Sequence, residues 1–280
     1  LEVVQVYTAA GRLFSGAGAQ GVPPVGWRPF RSPHHSLTRA SLVGGGSRLA
    51  PGELTLAHRG VLFLDEFAEL SQEVVDALRE PMEEGWVTLA RAGQFQRLPA
   101  DVLVVAASNP CGCGRLGLGR DGARDQGGRC RCRPVELARY HRRLAGPVAD
   151  RFDLWVWVRP ASQKELLGPA GESSAAVRGR VELARDRQRH RLGRARSGPF
   201  EPEPLNARMS AEEVKRCCAL SAELEAELLR LSRAMALSAR GVHGVLKVAR
   251  TLADLEGRDR LVREDLHEAV QLRRSGLGGG

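Results

Sequence analysis

Up to about residue 159, short apolar runs alternate with stretches of helical period, which is the pattern of an α/β domain. Val61, Leu62, Phe63 and Leu64 form one continuous apolar run, and Val102, Leu103, Val104 and Val105 form another. Both predict strands buried in a parallel sheet, and Leu154, Trp155, Val156, Trp157 and Val158 predict a third. Between the first two, Ser71 is placed to cap a helix whose Val74, Val75, Leu78 and Met82 share one face. Pro81 kinks or ends that helix and Gly85 closes it. Residues 86–89 and 95–98 flank Ala92-Gly93, which predicts a hairpin with a tight turn.

The second half of the chain changes character. Residues 161–205 are polar and arginine-rich, with Pro199, Pro202 and Pro204 marking a linker and residues 178–196 predicting a basic helix. Beyond them, Ser210 and Glu213 have the spacing of a capping box. Apolar positions then recur at helical spacing through Val214, Leu224, Leu228, Val242, Val245, Leu246, Ala249, Leu266 and Val270. The organisation predicted is an α/β core over residues 1–160, a basic helix and linker over 161–205, a helical domain over 206–273 and a flexible tail over 274–280.

Composition narrows the partners. With 280 residues, 42% of them hydrophobic, the chain can build a large core, so disorder is excluded as its main state. The longest strictly apolar run, residues 102–107, is far short of the ~20 residues that cross a bilayer, so no membrane partner is expected. No secretory signal is visible, and a cytoplasmic protein is expected, although the first residue is Leu1 rather than Met, as in a fragment. A formal charge of +9 favours anionic partners such as nucleic acid or nucleotide. Residues 115–151 hold ten arginines against four acids, and residues 178–196 eight against two. Such clusters either neutralise phosphates or form solvated and intersubunit faces.

The chemistry concentrates at strand ends. Val61-Leu-Phe-Leu-Asp65-Glu66 puts two carboxylates at the C-terminal end of a buried strand, a Walker B pattern, where open α/β sheets bind ligands. The first can hold Mg²⁺ on the phosphates of a nucleotide, and the second can orient or deprotonate a water for in-line attack. About 40 residues on, the second strand ends in Ser108-Asn109, whose amide can hydrogen-bond that water or the γ-phosphate. Singly, Asp65-Glu66 also suits a loop opening, and Asn109 a turn before Pro110.

Several segments together are similar to one family. Arg28-Pro-Phe-Arg-Ser-Pro-His-His-Ser36, Gly44-Gly-Gly46, residues 51–60, Leu62 to Glu66, Leu78-Arg-Glu-Pro81, Asn109-Pro110 and Asp150-Arg-Phe-Asp153 resemble the magnesium-chelatase-like AAA+ ATPases, and within them the competence-associated branch. The resemblance runs over essentially the whole chain. It implies an AAA+ core with a parallel sheet, a C-terminal helical lid, and a ring, usually a hexamer, with ATP between subunits. By motif position it makes Asp65 and Glu66 the Walker B pair, Asn109 sensor 1, Arg151 the arginine finger offered to a neighbour's ATP, and Arg240 the sensor-2 arginine. It also makes residues 30–58 the insert of the second helix and residues 86–98 the pre-sensor hairpin, loops that project into the ring pore. Arg91, Arg97, His34 and His35 are then the candidate DNA contacts, with solvated charges as the plainer alternative for the arginines and a structural or metal role for the histidines.

One element of the family pattern is missing. A P-loop needs G-x-x-x-x-G-K-[ST], and none of the three lysines, Lys164, Lys215 and Lys247, follows a glycine. In the family that loop lies upstream of the stretch resembling residues 1–12, so a truncated chain is expected, binding ATP weakly and hydrolysing almost none. The cysteines add a further question. Cys111-Gly-Cys113 and Cys130-Arg-Cys132 suit tetrahedral Zn²⁺ or are four reduced thiols in a loop, whereas Cys217 and Cys218 fit a helix core. Two functions from different classes compete. The intact protein is either an ATP-driven motor on branched or single-stranded DNA, helicase-like, or a chelatase-type remodelling subunit that touches no nucleic acid.

Overall fold

The computed structural model describes residues 2–10, 28–46, 49–91, 93–115, 130–144, 146, 148–158, 161–193 and 203–273. Two compact units divide the chain, Leu1–Arg151 and Phe152–Gly280. The described strands are β1 (Phe30–Arg31), β2 (Gly44–Gly45), β3 (Ala50–Pro51), β4 (Val61–Leu64), β5 (Trp86–Arg91), β6 (Gln94–Pro99) and β7 (Leu103–Ala106), all in the first unit. Its helices are α1 (Glu2–Ala9), α2 (Arg39–Val43), α3 (Glu53–Leu56), α4 (Gln72–Ala77), α5 (Arg79–Glu84) and α6 (Pro134–Leu144). The second unit holds α7 (Gln163–Leu166), α8 (Ser174–Leu192), α9 (Ala211–Cys217), α10 (Ala222–Ala234), α11 (Ala239–Leu255) and α12 (Arg263–Arg273).

The first unit is built on a parallel sheet of order β1-β4-β7, so the class is α/β as the apolar runs predict. In β4, Leu62 and Leu64 are fully buried while Val61 and Phe63 are only half covered, Phe63 stacking on Phe30 of β1. On β7, Leu103 is 62% exposed and Val105 40%. The second strand is therefore not buried on both faces as its apolar run suggests, and among the described residues no strand pairs with its far edge.

Local chemistry sets the connections. Ser71 Oγ accepts the Val74 N–H at 3.4 Å and starts α4. The predicted single helix is two, breaking at Leu78, since Pro81 has no N–H to offer the carbonyl of Ala77. Gly85 closes α5 in the left-handed conformation (φ 72°), donating its N–H to Pro81 O. The hairpin then forms with strands longer than predicted, Arg91 opposite Gln94; Ala92 of the predicted turn lies outside the described residues.

Residues 30–58 are not an excursion from the core along their whole length. Phe30 pairs with Val61, and Leu42, Leu54 and Leu56 are buried. Arg31 on β1 grips Glu53 on α3 through Nε and Nη2 at 2.6 and 2.8 Å. Both ends of the segment thus belong to the packed unit, and what stands apart in secondary structure is the short β2–β3 ribbon. After it, Gly60 meets Pro29 so closely that a Cβ would lie 1.9 Å from the Pro29 carbonyl oxygen, which also accepts the Val61 N–H.

The second unit is helical. Ser173 caps α8 and Gly193 ends it, so the basic helix starts earlier than predicted and stops at Leu192. The capping box of α9 is present in both directions, with Ser210 N to Glu213 Oε2 at 2.8 Å and Glu213 N to Ser210 Oγ at 3.2 Å. Val214, Leu228, Val245, Ala249, Leu266 and Val270 form its core with Cys218, and Cys217 packs against it. Residues 154–158 are not a strand. Trp155 donates its N–H to Leu272 O, while Leu154, Val156, Trp157 and Val158 stay exposed, since the described residues of this unit supply no strand to pair with them. The tail, residues 274–280, lies outside the described residues.

A buried ionic knot ties α8 to α11. Asp254, 2% exposed, accepts from Arg191 Nη1 at 2.6 Å and Nη2 at 2.5 Å and from Asn206 Nδ2 at 2.8 Å, and Arg250 Nη2 lies 3.2 Å from its Oδ1. Removing the carboxylate leaves the buried Arg250 and the part-buried Arg191 with neutral acceptors alone and no counter-charge. Asp254→Ala is expected to lower stability by about 3–5 kcal/mol in urea denaturation. Asp186→Ala, which breaks an exposed pair with Arg189 on the same α8, is expected to change it by less than about 0.5 kcal/mol.

Candidate functional site

The register of the sheet brings the chemistry together. Leu64 of β4 pairs with Ala106 of β7, and the Ala107 N–H donates to Leu64 O at 2.9 Å. The Phe67 N–H in turn donates to Ala107 O at 2.9 Å. Both chains therefore leave the sheet side by side at the C-terminal ends of parallel strands, Asp65-Glu66 from one and Ser108-Asn109 from the other. All four residues are exposed.

Glu66 stands in the left-handed region, φ 50° and ψ 40°, at the head of the 3-10 turn Phe67–Glu69. A residue with a Cβ is strained there, and surrounding bonds hold it in place. Asp65 Oδ1 accepts the Glu66 N–H at 2.8 Å, and buried Phe67 and Ala68 anchor the turn. His35 Nδ1 lies 2.9 Å from Glu66 Oε2, and the His34 ring stacks against His35 with centroids 3.9 Å apart. His34 Nδ1 sits 3.0 Å from Ser36 Oγ. The sequence motif around the two histidines thus reaches the second carboxylate of the strand-end pair, a contact no spacing rule announces.

A second set of contacts fixes the Asn109 loop. Tyr140 OH, on α6, donates to Asn109 O at 2.8 Å and lies 3.0 Å from Ser108 Oγ. Partial burial raises the Tyr140 pKa above its ordinary value, so the phenol stays a donor at neutral pH. His141 Nε2 is 3.2 Å from Pro110 O, and Arg143 Nη1 donates to Ala68 O at 2.8 Å. Helix α6 therefore touches both strand-end loops. Neither Tyr140 nor Arg143 stands out in the sequence, where Arg143 is one of ten arginines among residues 115–151.

The remaining candidates are distributed as follows. Arg151, in the 3-10 turn Ala149–Arg151, pairs with Glu83 of α5 at 2.6 Å with its side chain 15% exposed. Arg97 on β6 pairs with Glu84 at 3.2 Å and covers the Trp86 ring at 5.0 Å, a cation–π contact. Arg91 lies at the end of β5, and its side chain is outside the described residues. Arg240 is the second residue of α11, after the cap in which Ser238 Oγ accepts the Gly241 N–H at 3.0 Å. It belongs to the second unit.

Beyond Pro110, the Sγ atoms of Cys111, Cys113, Cys130 and Cys132 lie within 4.8 Å of one another. The Arg131 and Arg115 backbone N–H groups point at Cys113 and lower its pKa to about 6. Residues 116–129 between the two pairs lie outside the described residues. Among the described residues no helix is long and apolar enough to cross a membrane.

The family model for magnesium chelatase, subunit ChlI, matches residues 2–166, and that for the ChlI C-terminal part matches residues 171–273. The chain is 42% identical over 253 residues to YifB of Escherichia coli and 39% identical over 248 residues to the competence protein ComM of Haemophilus influenzae. Each alignment covers 88% of this chain and 45% of the relative, so the chain spans about half the length of the curated relatives it matches. A shorter segment of 66 residues, 24% of the chain and 8% of the relative, is 47% identical to the zygotic DNA replication licensing factor mcm3 of Xenopus laevis. With two models spanning nearly all of its length around an α/β unit and C-terminal helices, the chain belongs to the magnesium chelatase ChlI family of AAA+ ATPases.

Proposed function

We propose that this chain is the catalytic part of an AAA+ motor that couples ATP hydrolysis to movement along DNA, of helicase or branch-migration type. The observation that carries the reading is the pairing of Asp65-Glu66 with Ser108-Asn109 at adjacent parallel strand ends. Exposed carboxylates beside an amide form a hard oxygen donor set, which suits Mg²⁺ better than a soft metal. In this reading Asp65 would hold the Mg²⁺ of bound ATP, which would supply charge neutralisation at the phosphates. Structural Zn²⁺ at the four cysteines would add stiffness and no chemistry.

The chain's own groups divide the work. Glu66 Oε2 takes the proton of the attacking water, and the Asn109 amide holds that water or the γ-phosphate in line. While His35 Nδ1 occupies Glu66 Oε2, the base is engaged; separation of the pair frees it. Residues 30–58 thereby gain a path to the base. Arg151 of one subunit serves a neighbour's ATP in a hexameric ring once it leaves Glu83, and Arg240 is the sensor-2 arginine.

DNA enters this reading through charge and through the relatives. In this reading Arg91 and Arg97 on the hairpin, with His34 and His35, are the DNA contacts, the DNA is branched or single-stranded, and the arginine clusters of the sequence supply charge that suits phosphates. One relative is a competence protein and another a DNA replication licensing factor. The second reading is a remodelling ATPase acting on a partner protein, and the magnesium chelatase models favour it. The chain's lack of a G-x-x-x-x-G-K-[ST] sequence supports a further reading, that on its own it hydrolyses almost no ATP.

The two readings separate in one assay, the ATPase rate of a longer protein that carries a P-loop, measured with and without branched DNA at two salt concentrations. Stimulation that fades with salt is expected; no stimulation would leave the remodelling ATPase. In the same protein Glu66→Gln is expected to keep ATP binding and cut turnover by at least about 100-fold, checked by nucleotide binding and phosphate release. Arg151→Ala is expected to spare ATP binding and fail in trans, so mixing it with Glu66→Gln subunits should restore turnover at the interfaces that combine Glu66 of one with Arg151 of the other. Normal turnover in either variant would reject the assigned roles.

A further inference from the structure

The four cysteines that follow the Asn109 loop have no part in nucleotide chemistry, yet their geometry is specific. Cys111 Sγ lies 3.4 Å from Cys113 Sγ and 3.7 Å from Cys130 Sγ, and Cys113 Sγ lies 3.6 Å from Cys130 Sγ. Cys132 Sγ completes a set within 4.8 Å. A disulfide would need about 2.05 Å, and all four are free cysteines. Four sulfurs at the vertices of a tetrahedron around Zn²⁺, each about 2.3 Å from the ion, lie about 3.8 Å apart, close to the 3.4–3.7 Å between Cys111, Cys113 and Cys130. Cys111 is fully buried and Cys113 exposed, so the cluster has a closed inner side and an open route for an ion.

The backbone around the cluster is shaped to keep it. Gly114 adopts φ 74° and turns the chain back, donating its N–H to Cys111 O at 2.9 Å. At the other end, Arg133 N donates to Glu136 Oε2 at 2.8 Å and α6 begins two residues after Cys132. The cluster is thus a join between the chain leaving β7 and the chain entering α6. The same helix returns Tyr140 to Asn109 O and His141 to Pro110 O, so a tie at the cysteines closes a ring whose other side is made of hydrogen bonds.

We propose that Cys111, Cys113, Cys130 and Cys132 bind one Zn²⁺ as a structural tetrathiolate site, and that the ion fixes the Asn109 loop against α6. Each thiol that is still protonated gives its proton to solvent as its sulfur binds; no electrons change hands. Four sulfur ligands leave no open position, so the ion holds shape and takes no substrate. Cys217 and Cys218 lie in the helical unit's own core and stay outside the site.

Elemental analysis of the purified 280-residue protein tests this without nucleotide or DNA, so its failure would leave the ATPase reading standing. About one Zn²⁺ per chain is expected, falling below about a tenth in Cys130→Ser/Cys132→Ser and unchanged in Cys217→Ser. Should the double variant fail to fold, Co²⁺ added to the chelator-stripped wild-type protein provides the second measurement. The visible bands of tetrahedral thiolate-bound Co²⁺ are expected at one equivalent, and Zn²⁺ should abolish them. Hydrogen exchange at Ser108 and Asn109 is expected to quicken when the ion is stripped and to slow when Zn²⁺ returns. Iron in place of zinc, disulfides between these cysteines, four thiols that stay reactive with no bound metal, or exchange at Asn109 indifferent to the ion would each overturn the proposal.

Discussion

Everything at the candidate site depends on the parallel register between β4 and β7. Pairing Leu64 with Ala106 makes two segments, 40 residues apart in sequence, leave the sheet at the same level and on the same side. A slip of one residue would turn Leu62 and Leu64 out of the core and point the following loops differently, so the burial of those two side chains is also what aligns the carboxylates with Asn109. Helix α6 adds a brace by bonding to both loops, through Tyr140 to one and Arg143 to the other.

Much of this was legible in the sequence because it rests on local rules. The strand ending at Leu64, the cap at Ser71, the hairpin of Trp86–Arg91 with Gln94–Pro99 and the box at Ser210 each follow from residue types within one turn of chain. The chain divides after Arg151, whereas the change in sequence character from alternating runs to a polar stretch comes at residue 161. The α/β class needs only the existence of buried runs, and those survive errors in their exact ends.

The rest was hidden because it depends on partners far along the chain. His35 reaches Glu66 across 31 positions, and Tyr140 reaches Asn109 across the same separation; neither pair has a periodicity to betray it. The apolar run at 154–158 illustrates the opposite failure. Its composition is that of a strand, but a strand exists only when a neighbour supplies hydrogen bonds, and its one described backbone bond goes to the end of α12. The second carboxylate of the site shows a third limit, since a left-handed glutamate costs local energy and no propensity scale anticipates it.

The open side of β7 has a practical consequence for handling the molecule. Leu103 and Val105 present an apolar face on a strand whose far edge pairs with no strand among the described residues, with no lysine, proline or bulge among residues 103–106 to discourage another chain from adding itself there. The hairpin β5–β6 shows the contrast, since Arg97 and Pro99 stud one of its two strands. Self-association through β7 should therefore grow with concentration and persist in high salt, as apolar contact does and charge-driven clustering does not. Dilution and a β7 face made polar, not added salt, are the means by which this protein would be kept monodisperse.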